Sequence, residues 1–271
     1  MIDCQLRLAG AQTFLRMGGD GAPILLIHGG GLGSTGLVWR DIAPQIEERH
    51  RVLIPDLMGY GRSSAAEAPG GISGIAKQME ALLDVFCLER VTVIGHSMGC
   101  LVALALTALN PDRIAGLGLI APGGRVAGIT GYHSAGHEVM RGAIDAPGPQ
   151  TMRRVVEILN ANLDDAPAQI EERLAFASDA AHIKAQREGA QARNGSPFTF
   201  DWSIYAGPIL FGWGEDERFN PPELGDEIAA GLPARRVYRR FKAGHNVPHD
   251  APEDLAQAML AFAEACVKQT S

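Results

Sequence analysis

Short apolar runs alternate with amphipathic stretches through the first half of the chain. Residues 22–30, APILLIHGG, place a run of aliphatics before glycines. A continuous apolar run bounded by turn residues predicts a strand buried on both faces, as in a parallel sheet. A helical stretch follows at 39–49, and RVLIPDLMGYGRSS (51–64) holds a second strand, ended by Pro55 and Gly59. Between 73 and 87, Ile75, Met79, Leu82, Leu83 and Phe86 fall at helical spacing. VTVIGHS (91–97) is a third strand, MGCLVALALTALN (98–110) an apolar helix closed before Pro111, and IAGLGLIAPGG (114–124) a fourth strand. This rhythm predicts an α/β fold built on a doubly wound, mostly parallel sheet.

The rhythm stops at Pro122. Up to about residue 200 no buried strand is evident, and 151–163 and 168–190 both read as amphipathic helices. Strands resume with GPILFGWG (207–214) and ARRVYRRF (234–241), and a last helix covers 252–267. The expected organisation is a core formed by 1–121 and 201–271, with a helical cap, 122–200, inserted into it.

Composition narrows the function classes. Of 271 residues, 46% are hydrophobic and 20% charged, and the formal net charge is −7. There is no basic run of the kind that nucleic acid or an anionic membrane surface requires. No apolar run approaches the roughly 20 residues of a membrane span, and the N-terminal MIDCQLRLAG has no signal-peptide core. Cys4, Cys87, Cys100 and Cys266 are scattered without metal-ligand spacing, as in a reduced protein. The expected location is the cytoplasm, with a small-molecule substrate as partner and no metal or organic cofactor.

Four pieces carry chemistry. Gly95-His96-Ser97-Met98-Gly99 fits G-x-S-x-G, in which a serine on a sharp strand-to-helix turn is lifted above the carboxyl edge of the sheet. The strand before Ser97 and the helix after it supply the context that separates this motif from a plain glycine turn. HGGGLGSTG (28–36) ends the first strand and offers the N–H of Gly30, with Gly31 beside it, as a second oxyanion donor next to that of Met98. A phosphate cradle is disfavoured, because the loop lacks the lysine and the spacing of such motifs. A general base placed after the last strand falls on His245, with His249 as its rival; His28 and His96 read as structural or pocket-lining. His133 and His137 have the four-residue spacing of metal ligands, but flanking glycines and the lack of a third ligand argue against a site. The acid that orients the base lies in GWGEDERFNPPE (212–223), where Asp216 and Glu217 both qualify.

With serine, acid and histidine in that order, the chain resembles the α/β-hydrolase superfamily from about Ile24 to the end. HGGGLGSTGLVW, PDLMGYGRSS, GHSMGC, PDRIAGLGLIAPGG and GEDERFNP, with TMRRVVEILNANLDD and IEERLAFAS in the cap, resemble the meta-cleavage-product hydrolases. The resemblance implies hydrolysis of a carbon–carbon bond in an acidic dienol diketone from aromatic degradation. It also implies a cap arginine, at the place of Arg173, that contacts the substrate carboxylate, and an assembly that is often a dimer or larger. Ester, lactone or amide hydrolysis by the same triad is the alternative. The chain departs from that family's pattern at His96, where asparagine is usual, at Asn246, where tryptophan follows the histidine, and at Glu217, where the register has aspartate. Those departures touch the substrate-binding positions His96 and Asn246 and the candidate acid Glu217; they leave the fold expectation intact and the substrate open.

Overall fold

The structure, a computed structural model, describes residues 1–65, 71–177, 180–195 and 199–268. The described strands are β1 (Ile2–Leu8), β2 (Ala11–Gly18), β3 (Pro23–Ile27), β4 (Arg51–Pro55), β5 (Val91–His96), β6 (Ile114–Ile120), β7 (Ile209–Gly214) and β8 (Arg236–Phe241). They form one sheet in the order β1-β2-β4-β3-β5-β6-β7-β8. β2 pairs antiparallel with β1 and β4, and the remaining pairs are parallel. The opening hairpin, β1–β2, has no counterpart among the strands read from the sequence. Its signal is the alternation of exposed and buried positions on both sides of Ala9-Gly10, which marks a half-buried antiparallel ribbon rather than a continuous apolar run.

Helices flank the sheet: α1 (Ala43–Glu47), α2 (Gly71–Val85), α3 (Met98–Leu109), α4 (Ala135–Asp145), α5 (Pro149–Leu159), α6 (Ala166–Ala177), α7 (Ala180–Gly195), α8 (Leu224–Gly231), α9 (Val247–Asp250) and α10 (Pro252–Lys268). The pleat divides the core between two faces. Val91 and Val93 of β5 pack with Leu82 of α2, Val102 of α3 and Ile228 of α8. Ile94 packs on the other face with Ile46 of α1 and with Leu255 and Met259 of α10. The alternation of strand side chains between opposite faces is what lets helices cover both sides.

The structure shortens and divides several expected elements. The stretch 39–49 is a 3-10 turn, Gly36–Trp39, followed by the short α1. Strand β6 ends at Ile120 and does not run to Gly124. Of the helix expected over 168–190, the described residues are helical in α6 and α7, positions 178 and 179 lie outside the described residues, and α4 has no counterpart among the helices read from the sequence. Between β6 and β7 the four helices α4–α7 build their own apolar cluster. Met152, Val155 and Val156 are fully buried in it, and Leu32 of the HGGG loop and Phe219 from beyond β7 complete it. The inserted helices are thereby packed onto the two loops that flank Ser97.

The crossing of β5, α3 and β3 fixes the place of Ser97. A Cβ on Gly95 would stand 2.6 Å from Cys100 N, and one on Gly99 would stand 2.7 Å from His28 O. Only glycine lets the strand end and the helix start approach this closely. Gly99→Ala is therefore expected to destabilise the protein by about 2–3 kcal/mol through overpacking, read as a lower unfolding midpoint. Gly142→Ala, where an added Cβ meets nothing within 4 Å, serves as the control and should leave the midpoint level or raise it. Equal midpoints for the two variants would contradict this packing.

Candidate active site

Ser97 sits between β5 and α3 with φ 52° and ψ −117°. A non-glycine residue in this region carries about 1–3 kcal/mol of strain and persists only where its surroundings enforce it. Here Ser97 N donates to Ile120 O at 2.9 Å, and Ser97 O accepts from Cys100 N at 3.0 Å. The turn leaves the serine half-buried in the wall of a cavity of about 710 Å³.

His245 lies just past β8, with its ring against the hydroxyl. His245 Nε2 is 2.9 Å from Ser97 Oγ, and Nδ1 is 2.9 Å from Glu217 Oε2. Glu217 is 2% exposed, so its charge must be met by donors. Its other oxygen, Oε1, accepts the N–H groups of Phe219 at 2.7 Å and Asn220 at 3.1 Å. These bonds keep Glu217 an acceptor toward His245, which assigns the ring proton to Nδ1 and leaves the Nε2 lone pair toward the serine. The Phe219 ring stacks on the imidazole at 4.2 Å between centroids, with 16° between the planes. That contact excludes water from one face of His245.

Asp216 is not at the site. Its side chain and that of Glu215 are exposed, and their N–H groups are drawn to Ala243 O and Phe241 O. This pairing to the strand end turns positions 215 and 216 outward and position 217 inward. His249 is not at Ser97 either. It joins the helical insertion, with Nε2 2.9 Å from the amide nitrogen of Gln169 and 3.2 Å from Asp165 Oδ1. His133 and His137 do not gather ligands, and among the described residues no group of three or more metal-binding side chains occurs.

The HGGG loop lies beside Ser97 and Met98. A Cβ on Gly30 would stand 3.3 Å from Met98 Cβ, so Gly30 and the first residue of α3 adjoin. His28 is fully buried; its Nδ1–H donates to Gly29 O at 2.7 Å, while Nε2 accepts from Leu57 N at 3.0 Å. Burial holds its pKa below the ordinary value, so the ring stays neutral and keeps this donor–acceptor order. Because the peptide is planar and trans, fixing Gly29 C=O on His28 turns the Gly30 N–H the opposite way. Ser34 Oγ then donates to Gly30 O at 2.7 Å. Gly31 lines the cavity beside Met140.

The positions expected to face a substrate line the same cavity. Arg173 on α6 is half-buried, and its Nη1 donates to Leu32 O at 3.3 Å and Ser34 Oγ at 3.4 Å. Burial lowers its pKa to about 10, partly offset by neighbouring Glu172, so it remains a cation at neutral pH. Glu172 pairs with Arg40 rather than with Arg173. Asn246 is 4% exposed. His96 donates from Nε2 to His245 O at 2.9 Å, packs edge-on against Trp39, and leaves Nδ1 without a partner. Burial, then the proximity of His245, lowers the His96 pKa to about 3. Residues that sequence reading missed include Asn160, Gln169, Phe219 and Asn220. The first two meet the histidine loop only in three dimensions, and no local pattern marks them.

Residues 22–144 match the family described as the alpha/beta hydrolase fold. A hydrolase of Cupriavidus pinatubonensis named for 2-hydroxy-6-oxononadienedioate and 2-hydroxy-6-oxononatrienedioate is 28% identical over 90% of this chain and 84% of its own length. Among solved structures, a meta-cleavage product hydrolase from Pseudomonas fluorescens superposes with a TM-score of 0.85 at 18% identity, covering 97% of both chains. A thermophilic esterase from Thermogutta terrifontis superposes with a TM-score of 0.78 at 22% identity, covering 98% of this chain and 99% of its own. The chain has the alpha/beta hydrolase fold. Within that fold it resembles the meta-cleavage product hydrolases.

The buried state of His96 has a measurable sign. An unfolded chain protonates this ring near pH 6.5, and the folded one only near 3. The ring therefore costs stability as pH falls from 6.5 toward 3, because the unfolded state takes up the proton first. Its imidazole nitrogen resonances should stay constant from about pH 8 to 4.5, whereas an ordinary histidine titrates near 6.5. A midpoint near 6.5 for His96 would contradict its buried, neutral state.

Proposed function

We propose that the chain is a serine hydrolase in which Ser97 is the nucleophile, His245 its general base and Glu217 the orienting acid. The observation that supports this most strongly is the pair of 2.9 Å contacts joining Ser97 Oγ, His245 and Glu217 in the cavity wall. The N–H groups of Gly30 and Met98 serve as oxyanion donors, each typically worth about 3 kcal/mol in such sites. The inserted segment 122–200 acts as a cap that closes the cavity.

For the substrate we propose a dienol diketone of the meta-cleavage type, cleaved at a carbon–carbon bond, as the names of the relatives suggest. The reaction balances as substrate plus water giving a carboxylic acid and a hydroxydienoate. The enol first passes its proton to the carbon that is to leave. His245 then removes a proton from Ser97 or from water, and attack on the adjacent ketone places charge on its oxygen. Collapse of that adduct breaks the carbon–carbon bond, the electron pair moves into the conjugated dienolate, and the dienolate takes the proton held on His245 to leave as the hydroxydienoate. If Ser97 attacked, a water activated by His245 releases the acyl group. Arg173, a half-buried cation in the cavity wall, takes the substrate carboxylate by charge-assisted hydrogen bonds. The second reading is an esterase. It draws on the replacements at His96 and Asn246 and on the structural likeness to an esterase.

Ser97→Ala should abolish turnover while leaving the melting curve in place. Glu217→Gln presents an amide donor to Nδ1 and should lower kcat by about 10⁴-fold, as loss of the correct histidine tautomer does elsewhere. Asp216→Asn should stay within about threefold, as expected for an exposed residue away from the chemistry. Rapid bleaching of a yellow dienol diketone with negligible hydrolysis of a short-chain nitrophenyl ester is the expected outcome. Fast ester hydrolysis with an unchanged dienol would replace the carbon–carbon reading by the esterase one.

A further inference from the structure

A run of polar side chains beside His245 has no part in the chemistry above. Asp165 Oδ1 accepts from Gln169 Nε2 at 2.7 Å, Gln169 Oε1 accepts from Asn160 Nδ2 at 2.9 Å, and Asn160 Oδ1 accepts from Asn246 Nδ2 at 2.9 Å. A carboxylate can only accept. Asp165, with the His249 ring that it holds at 3.2 Å and that also meets Gln169 Nε2 at 2.9 Å, decides which end of Gln169 faces it, Gln169 decides the orientation of Asn160, and Asn160 that of Asn246. The ladder has a direction. It begins in the helical insertion and ends on the residue that follows His245.

The backbone around it is docked in the same place. Asn246 N donates to Leu159 O at 2.8 Å. Asp250 Oδ2 accepts the N–H groups of Ala161 and Gly244, both at 2.8 Å, and Oδ1 accepts that of Asn162 at 3.2 Å. Gly244 permits the approach, because a Cβ there would stand 2.8 Å from Leu159 O and 2.9 Å from Ala161 N. Asn160 and Asn246 are 1% and 4% exposed, so the inner half of the ladder is dry. Hydrogen bonds are stronger there, and two acceptors facing each other are costly. Helix α6 also carries Arg173, one turn beyond Gln169, bonded to the oxyanion loop at Leu32 and Ser34. One helix thus touches the loops on both sides of Ser97.

We propose that Asn246 is a positioning residue for His245, and that the helical insertion sets the position of the base through this directional ladder anchored at Asp165. The proposal rests on the reading of Ser97, His245 and Glu217 as a working triad. Asn246→Asp sets a carboxylate oxygen against Asn160 Oδ1. Relief requires every amide to turn over, which ends with Gln169 Oε1 facing the Asp165 carboxylate. Asp165→Asn removes that last conflict, so the double variant rebuilds the ladder in reverse.

The test measures the rate at which a fluorophosphonate labels Ser97 in the full chain, since this reaction needs the triad and not the natural substrate. Asn246→Asp should lower the limiting labelling rate by about tenfold or more, the scale of a misplaced catalytic group, with the half-saturating probe concentration unchanged. Asp165→Asn alone should label at nearly the wild-type rate, and the double variant should recover to within about threefold of it. Gln169→Leu cuts the ladder at a half-buried position without placing a charge in the core. It should slow labelling several-fold with little change in melting temperature, and it serves if Asn246→Asp does not fold. Wild-type labelling rates in Asn246→Asp and Gln169→Leu would overturn the proposal and leave the triad standing, as would a slow Asn246→Asp that Asp165→Asn does not rescue. A wild-type protein that takes no label at Ser97 overturns the triad reading, and the proposal with it.

Discussion

The arrangement around Ser97 depends on one buried carboxylate. Glu217 is almost wholly out of water, and an isolated charge there would cost several kcal/mol. Three donors meet it: the N–H groups of Phe219 and Asn220 on one oxygen and the imidazole of His245 on the other. The backbone donors are fixed by the turn after β7, so the carboxylate has a fixed direction. That direction selects the histidine tautomer, and the tautomer turns a bare nitrogen toward the serine. If Glu217 faced solvent, none of these orientations would be enforced.

The same logic of acceptors and donors repeats outward. His28 is held neutral by burial and turns the Gly29 carbonyl, which orients the next peptide of the HGGG loop. His96, also neutral, clasps the carbonyl of His245. Each ring fixes a peptide in a loop that lines the cavity beside Ser97. The cavity is lined in part by helices whose own core takes in Leu32 and Phe219. The insertion is thus packed against both loops that bear on Ser97, and its placement and the geometry of the site are one packing problem.

Much of this was legible in the sequence because it is local. A strand, a glycine-flanked serine and a helix stand in consecutive positions, and the apolar runs of β3 through β7 are buried on both faces. The β1–β2 hairpin escaped because it is half-buried and alternating, and reads faintly beside those runs. The choice between Asp216 and Glu217 was not decidable from adjacent letters. It turns on which residue of a tight turn points inward, and the backbone bonds of 215 and 216 to β8 and the residues just after it settle that. Glutamate fits because its longer arm spans from the turn to the ring while its second oxygen stays on the backbone. The amide side chains near His245 were silent, since residues 160, 169 and 246 become neighbours only after folding.

The central claim is that Glu217, and not its neighbour, holds the Nδ1 proton of His245. Proton NMR of protein labelled with nitrogen-15 in histidine observes that proton directly. A nitrogen-coupled resonance far downfield of ordinary imidazole N–H signals should be present in the unsubstituted chain and in Asp216→Asn, and absent in Glu217→Gln. Its survival in Glu217→Gln, or its loss in Asp216→Asn, would contradict the account.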